Sequence, residues 1–178
     1  MSKEIILDEH QYIVSRTDKR GIITSCNEYF QEVSGYSEEE LVGANHNIIR
    51  HPDMPKAIFK FMWHMISKEK KNLTAVVKNM TKYGDYYWVI TDFTITDVAG
   101  ELQYKAKRTK PNRSAIKRIE PIYKNMLEIE KRTGGNMDKS LQYLLDVMKE
   151  AGYDDYNEFI KYLSRESLFE KVFLKKLF

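Results

Sequence analysis

Two histidines, an arginine and an aspartate are compressed into one short stretch, Asn45-His46-Asn47-Ile48-Ile49-Arg50-His51-Pro52-Asp53-Met54-Pro55. An arginine fork beside an aspartate suits a ligand that offers both acceptors and donors, such as a phosphate and a ring edge. Pro52 and Pro55 remove two backbone donors and fix φ, so the stretch reads as a stiff, irregular strap with no regular helix until after Pro55. This is a binding signature before it is a catalytic one. The sequence pairs no nucleophile with a base, carries no phosphate-cradling glycine loop and sets no two carboxylates in a role, so a non-enzyme is expected. His46 and His51 would suit haem or a metal, but a third ligand at useful spacing is missing. Taken alone, His51 reads as a loop histidine capping the next helix, and Arg50 with Asp53 as an internal ion pair that fixes the strap.

The elements that must position this strap follow from hydrophobic period and punctuation. Tyr12 to Thr17 and Ile22 to Cys26 are β-branched runs joined by a turn containing Gly21, which predicts an antiparallel hairpin. Asn27 is placed to cap a short helix bearing Tyr29, Phe30 and Val33, ended by Gly35. Ser37 and Glu40 have the spacing of a capping box, with Gly43 as the stop. After the strap, Ile58, Met62, Met65 and Ile66 make one apolar helical face, flanked by Phe59 and Trp63 at i and i+4.

Leu73 to Met80, Tyr86 to Thr96 and Leu102 to Lys110 then read as three long strands, with turns at Tyr83-Gly84-Asp85 and at 97–100. Consecutive strands lie too close for crossover helices, so the expected fold is α+β with a five-stranded antiparallel sheet and short helices on one face. Residues 1–11 are a cap segment in which Ile5-Ile6-Leu7 is open between helix and strand; residues 12–111 are the sheet domain, and 112–178 an all-helical extension. In the extension Pro121 predicts a kink or a shifted start. Its apolar faces (Ile116, Ile119, Tyr123, Met126 and Ile129; Met137, Leu141, Leu144, Leu145 and Met148; Tyr156, Phe159, Ile160 and Leu163) and the segments Leu168-Phe169 and Val172-Phe173-Leu174 are too apolar for water. They cover the sheet, pair with a second copy or dock a partner helix.

With 178 residues, 29 basic against 26 acidic and a formal charge of +3, the chain is too nearly balanced for nucleic-acid binding by bulk charge. Cys26 is the single cysteine, which excludes an intrachain disulfide and points to a reducing cytoplasm. No run approaches the ~18 apolar residues a membrane span needs, so neither secretion nor an anchor of its own is expected. From Lys105 to Arg118 there are seven basic residues and no acidic one. Strand alternation would turn Tyr104 and Ala106 inward and leave these charges as a solvated outer face, with an acidic partner or a membrane surface as the other reading.

Asn27-Glu28-Tyr29-Phe30, Val33-Ser34-Gly35-Tyr36-Ser37, the strap from His46 to Pro55, Trp63, Val77-Lys78-Asn79 and Gly84-Asp85-Tyr86-Tyr87-Trp88-Val89 together resemble the PAS sensor domains of bacterial aerotaxis receptors. The resemblance runs from about Tyr12 to Tyr123. It departs at the third strand, where similar domains often carry Trp and Gly and this chain has Leu73 and Ala75, and in the basic last strand. It implies a PAS fold and a non-covalently held FAD whose redox state is reported to a chemotaxis complex, that is, aerotaxis or energy-taxis signalling. On the matching positions it implies Arg50, His51, Asp53, Asn27, Trp63 and Asn79 as FAD contacts, with His46 and Trp88 beside them. The family's membrane and signalling segments are not read in this chain, so it is expected to act in trans on a membrane-bound methyl-accepting chemotaxis transducer, cytoplasmic or peripheral to the inner membrane. The readings set against this are a cofactor-free PAS adaptor for protein–protein interaction and a haem-binding gas sensor.

Overall fold

A computed structural model describes residues 2–98 and 100–165; Leu168-Phe169 and Val172-Phe173-Leu174 lie outside the described residues. β1 (Ile13–Thr17) and β2 (Ile23–Cys26) pair as the expected antiparallel hairpin. The Asp18 carboxylate accepts from the Arg20 and Ile22 amides at 2.8 and 2.9 Å, which closes the turn. α1 (Glu28–Ser34) starts at Asn27, whose side chain accepts from Phe30 N, and ends at Gly35, which lies in the left-handed region at φ 74°. In α2 (Glu38–Leu41) both bonds of the Ser37–Glu40 capping box are present.

An added Cβ at Gly35 would lie 2.7 Å from Tyr83 Cε2, but that ring is 79% exposed and can swing away. Gly35→Ala should therefore lose mainly the left-handed penalty, about 1–2 kcal/mol in urea unfolding. A loss below about 0.5 kcal/mol would contradict this.

The strap holds one 3₁₀ turn, His46–Ile49, capped by the Asn45 side chain, before α3 (Lys56–Ser67) begins behind Pro55. β3 (Leu73–Met80), β4 (Tyr86–Val98) and β5 (Glu101–Thr109) complete a sheet of order β2-β1-β5-β4-β3, antiparallel throughout. The expected five-stranded antiparallel α+β fold is thus the observed one. Ile5-Ile6-Leu7 is neither helix nor a full strand: Ile5 N donates to Tyr86 O at 2.7 Å beside a single parallel bridge, and Leu7 is buried.

Both sheet edges are covered, as an unpaired ladder of N–H and C=O groups would otherwise invite pairing with another chain. On the β2 edge, Ile23 N donates to Ala44 O and Gly43 N to Ile23 O. Along the β3 edge lie α4 (Arg113–Arg132) and α6 (Tyr156–Ser164), with α5 (Met137–Glu150) packed on α3 and α4. The Asn157 amide of α6 accepts from Thr74 N at 2.8 Å and donates to Asn72 O, and the Tyr123 hydroxyl of α4 donates to Val76 O at 2.8 Å. Ile116, Ile119, Met126, Leu144, Met148 and Phe159 are buried in one core with the sheet, so these apolar faces take the first of the three occupants set out above. Leu145, expected on the same face, is 40% exposed. Pro121 shifts no start: α4 runs through it from Arg113.

Candidate functional site

The inner sheet face and α3 enclose a cavity of about 290 Å³ that opens beside the strap. Its size is near the lower end of the roughly 300–1,000 Å³ of ligand sites, room for a ring system more than for a whole dinucleotide. Register decides what the sheet contributes. Tyr104, Ala106 and Arg108 of β5 alternate inward while Lys105 and Lys107 point away, as strand geometry requires. Thr91 stands opposite Arg108 and Ser15 opposite Ala106, so a polar row crosses β4, β5 and β1 at one end of the cavity. Phe59, Met62, Trp63 and Ile66 from α3, with Phe93 and Tyr104 from the sheet, make an apolar wall, and Arg20, Asn45, Asn47 and Arg50 complete the lining. Trp63 meets Tyr104 edge to face at 5.3 Å and is 37% exposed, which places it at the mouth.

Arg108 is the charge at the centre of this site, 3% exposed. Its Nη1 donates to Ser15 Oγ at 3.0 Å and to Ala106 O at 3.5 Å, and its Nη2 to His46 Nε2 at 2.7 Å. A guanidinium can only donate, so His46 Nε2 is the lone-pair nitrogen and the neutral ring carries its proton on Nδ1. Burial, then the Arg108 charge, push the His46 pKa down to about 3. Burial pulls Arg108 itself down to about 10. No carboxylate forms an ion pair with it among the described residues. The Thr91 hydroxyl, opposite Arg108 on β4, is buried without a hydrogen-bond partner, whereas the buried Asn79 amide faces the Tyr87 hydroxyl across β3 and β4 and favours its charged form. An orphaned buried hydroxyl costs about 1–3 kcal/mol, so Thr91 in the cavity wall is a signal of an absent acceptor.

Of the residues singled out from sequence, His46, Arg50, Trp63 and Asn79 line the cavity. Arg50 lies over the Phe59 ring at 4.3 Å and reaches Met54 O at 3.5 Å; burial pulls its pKa down, opposed by Glu130. His51, Asp53, Asn27 and Trp88 lie outside the lining. His51 Nδ1 accepts from Asp53 N at 3.0 Å and its ring packs edge-on to Tyr86; burial and the Lys78 charge hold its pKa down. Asp53 pairs with the buried Lys78 ammonium at 2.7 Å, which holds its carboxyl below the usual range. The Asn27 carbonyl accepts from Val14 N and Phe30 N, and its amide donates to Tyr12 O, tying α1 to β1. Trp88 stands beside Lys78 and faces a second hollow on the other side of the sheet, under the N-terminal segment.

Arg108, Ser15, Thr91 and Arg20 are among the cavity residues that the motifs miss. For Arg108 the signal was present: if Tyr104 and Ala106 face inward, so does the residue two further on. The histidine reading for haem is weakened by the same geometry, because His46 Nε2 faces a cation. No cluster of three or more His, Cys, Asp and Glu side chains is placed to hold a metal among the described residues, and none of their helices is long and apolar enough to cross a membrane.

Residues 23–105 match the family described as PAS fold. The aerotaxis receptor of Escherichia coli (strain K12) is 41% identical over 113 residues, 63% of this chain and 22% of the receptor. The bacterioopsin transcriptional activator of Halobacterium salinarum is 30% identical over 95 residues, 52% of this chain and 14% of that protein. The chain thus spans 22% or less of the length of these relatives. A light-oxygen-voltage domain solved in work on a flavin analogue matches 70% of this chain and 90% of its own at 18% identity, with a TM-score of 0.51, a likeness of fold.

Proposed function

We propose that this chain, whose residues 23–105 match the PAS fold family and which is 41% identical over 113 residues to the aerotaxis receptor, is a redox sensor that holds FAD in the cavity between α3 and the sheet. The observation that carries this reading is the polar end of the cavity: a buried guanidinium with no carboxylate, opposite the orphaned Thr91 hydroxyl. These groups are donors, and a flat ring with a carbonyl edge is the complementary shape for a cavity whose remaining walls are aromatic and aliphatic. A bound flavin supplies a redox couple that can equilibrate with cellular electron carriers. Trp63 packs on the ring at the mouth and excludes water from it. Arg50 and the exposed Arg20 flank the opening, where the diphosphate would emerge from a cavity too small for the whole dinucleotide. His46 acts through Arg108, which it orients. Asn27, His51, Asp53 and Trp88 hold the frame: Asn27 fixes α1 to β1, and Asp53 with Lys78 pins the strap to β3.

In this reading the protein signals and does not catalyse, and its output goes in trans to a membrane-bound methyl-accepting chemotaxis transducer, in a cytoplasmic or inner-membrane-peripheral location. The helices α4 to α6, packed on α3 and β3, are the surface placed to pass the change on. Purified protein should be yellow, bleach with dithionite and recover in air. Arg50→Ala and Trp63→Ala should each weaken flavin retention at least tenfold with the circular dichroism spectrum unchanged. A colourless protein that cannot be reconstituted with FAD would leave the cofactor-free adaptor as the better reading.

A further inference from the structure

The deep end of the cavity contains more positive charge and more donors than the protein uses. Arg108 has five N–H groups. Three are engaged, by Ser15, Ala106 and His46, which leaves two without partners. The groups packed against the guanidinium from the other elements bring no negative charge. His46 is neutral, Ser15 and Thr91 are hydroxyls, Phe30 offers a ring face at 5.6 Å, and Tyr87 is held protonated by burial. A buried cation normally comes with its counter-ion, because an isolated one is costly to desolvate. Here the counter-charge has no source in the described chain, and Arg108 lines the cavity.

We propose that the ligand is the counter-ion: Arg108, oriented by His46 and Ser15, binds the electron-rich carbonyl edge of the flavin-type ring and holds its reduced, negatively charged form more tightly than its oxidised, neutral form. This rests on the flavin reading above and adds a threshold to it. Uptake of two electrons and one proton lowers the net charge of the ring by one. That new negative charge develops beside a fixed guanidinium inside a low-dielectric wall, where Coulombic attraction is poorly screened. The potential at which the sensor changes state is therefore set largely by a residue of the last strand, in front of α4. Thr91, opposite Arg108 on β4, supplies a further donor to the same edge. It selects for a ligand rich in acceptors, and Arg108 selects for its charge.

The test is a spectroscopic dithionite titration of the flavin-loaded protein against free FAD in the same buffer, repeated on Arg108→Gln and Arg108→Lys. The bound flavin of the natural protein is expected at a higher potential than free FAD, meaning tighter binding of the reduced form. Gln keeps a donor amide, at shorter reach, but not the charge, and should reduce the preference for the reduced form at least tenfold, about 30 mV for a two-electron couple. Lys keeps the charge and should retain most of the preference, which a merely structural strut would not. An Arg108→Gln protein that holds flavin at an unchanged potential overturns the proposal and leaves the flavin reading standing. Should Arg108→Gln not fold, the natural protein still decides: a bound potential at or below that of free FAD overturns the proposal. Failure of the natural protein to bind FAD at all overturns both readings.

Discussion

Acidification from pH 7 to 5 is expected to cost the fold about 2 kcal/mol through His46 alone, from the slope of ~1.4 kcal/mol per pH unit for one proton difference. The cause is geometric. His46 Nε2 receives the Arg108 guanidinium at 2.7 Å and lies 3.1 Å from the Ser15 hydroxyl, while the ring stacks on Phe30 at 5.9 Å. Protonation would aim an N–H at a cation that no carboxylate balances. Burial and that charge hold the ring pKa at about 3 in the folded protein, against an ordinary value of 6.5. Between those two values the unfolded chain binds one more proton than the folded chain, so stability is full above about pH 6.5 and falls as the pH drops. His51, shifted in the same direction by burial and Lys78, adds to the loss over part of the same window. Asp53, whose carboxyl is held low by Lys78, acts only at lower pH, as its depressed value is approached. Urea unfolding at pH 7, 6 and 5 checks this. His46→Gln, which cannot titrate, should lose about 2 kcal/mol less than the natural protein over that range. Parallel pH slopes for the two proteins would show that His46 is not the group responsible.

The frame of the molecule is legible in the sequence because its signals are local. Asn27, Gly35 and the Ser37–Glu40 box act within a turn of where they stand, and β-branched runs between glycines announce the strands. What is illegible depends on partners far along the chain. Nothing near Asn79 or Trp88 says which of them faces α3, since the register of β3 on β4 is fixed only when the sheet is assembled. His51 reads as equal to Arg50 in the strap, yet its ring turns back onto the amide of Asp53 while Arg50 stays at the cavity. Arg108 is hidden by composition: six other basic residues between Lys105 and Arg118 make one solvated run the natural reading. The period of two along Tyr104, Ala106 and Arg108 is the physical fact that outranks it.

Glu130→Ala is expected to destabilise the protein by about 2–4 kcal/mol, because it orphans one buried and one part-buried donor at once and removes a charge from a helix N-terminus. α3 begins behind Pro55 with no side-chain cap of its own. Instead, the Glu130 carboxylate reaches across from α4, accepting from Lys56 N at 3.0 Å and Ala57 N at 2.9 Å. The residue is only 6% exposed, so water cannot easily take its place. One side chain therefore joins the helical extension to the helix that walls the cavity, 74 residues away along the chain. It also stands close enough to Arg50 to favour that residue's charged form. Glu130→Gln keeps a neutral acceptor and should lose about half as much as Ala, since hydrogen bonds to charged groups are worth roughly twice neutral ones. Urea unfolding measures both. Amide exchange supplies the local readout: in Glu130→Ala, exchange at Lys56 and Ala57 should accelerate well beyond what the global loss predicts. If Glu130→Ala unfolds within 0.5 kcal/mol of the natural protein, about the scatter of a neutral surface change, then the first turn of α3 has another cap and the extension is not coupled to the cavity through Glu130.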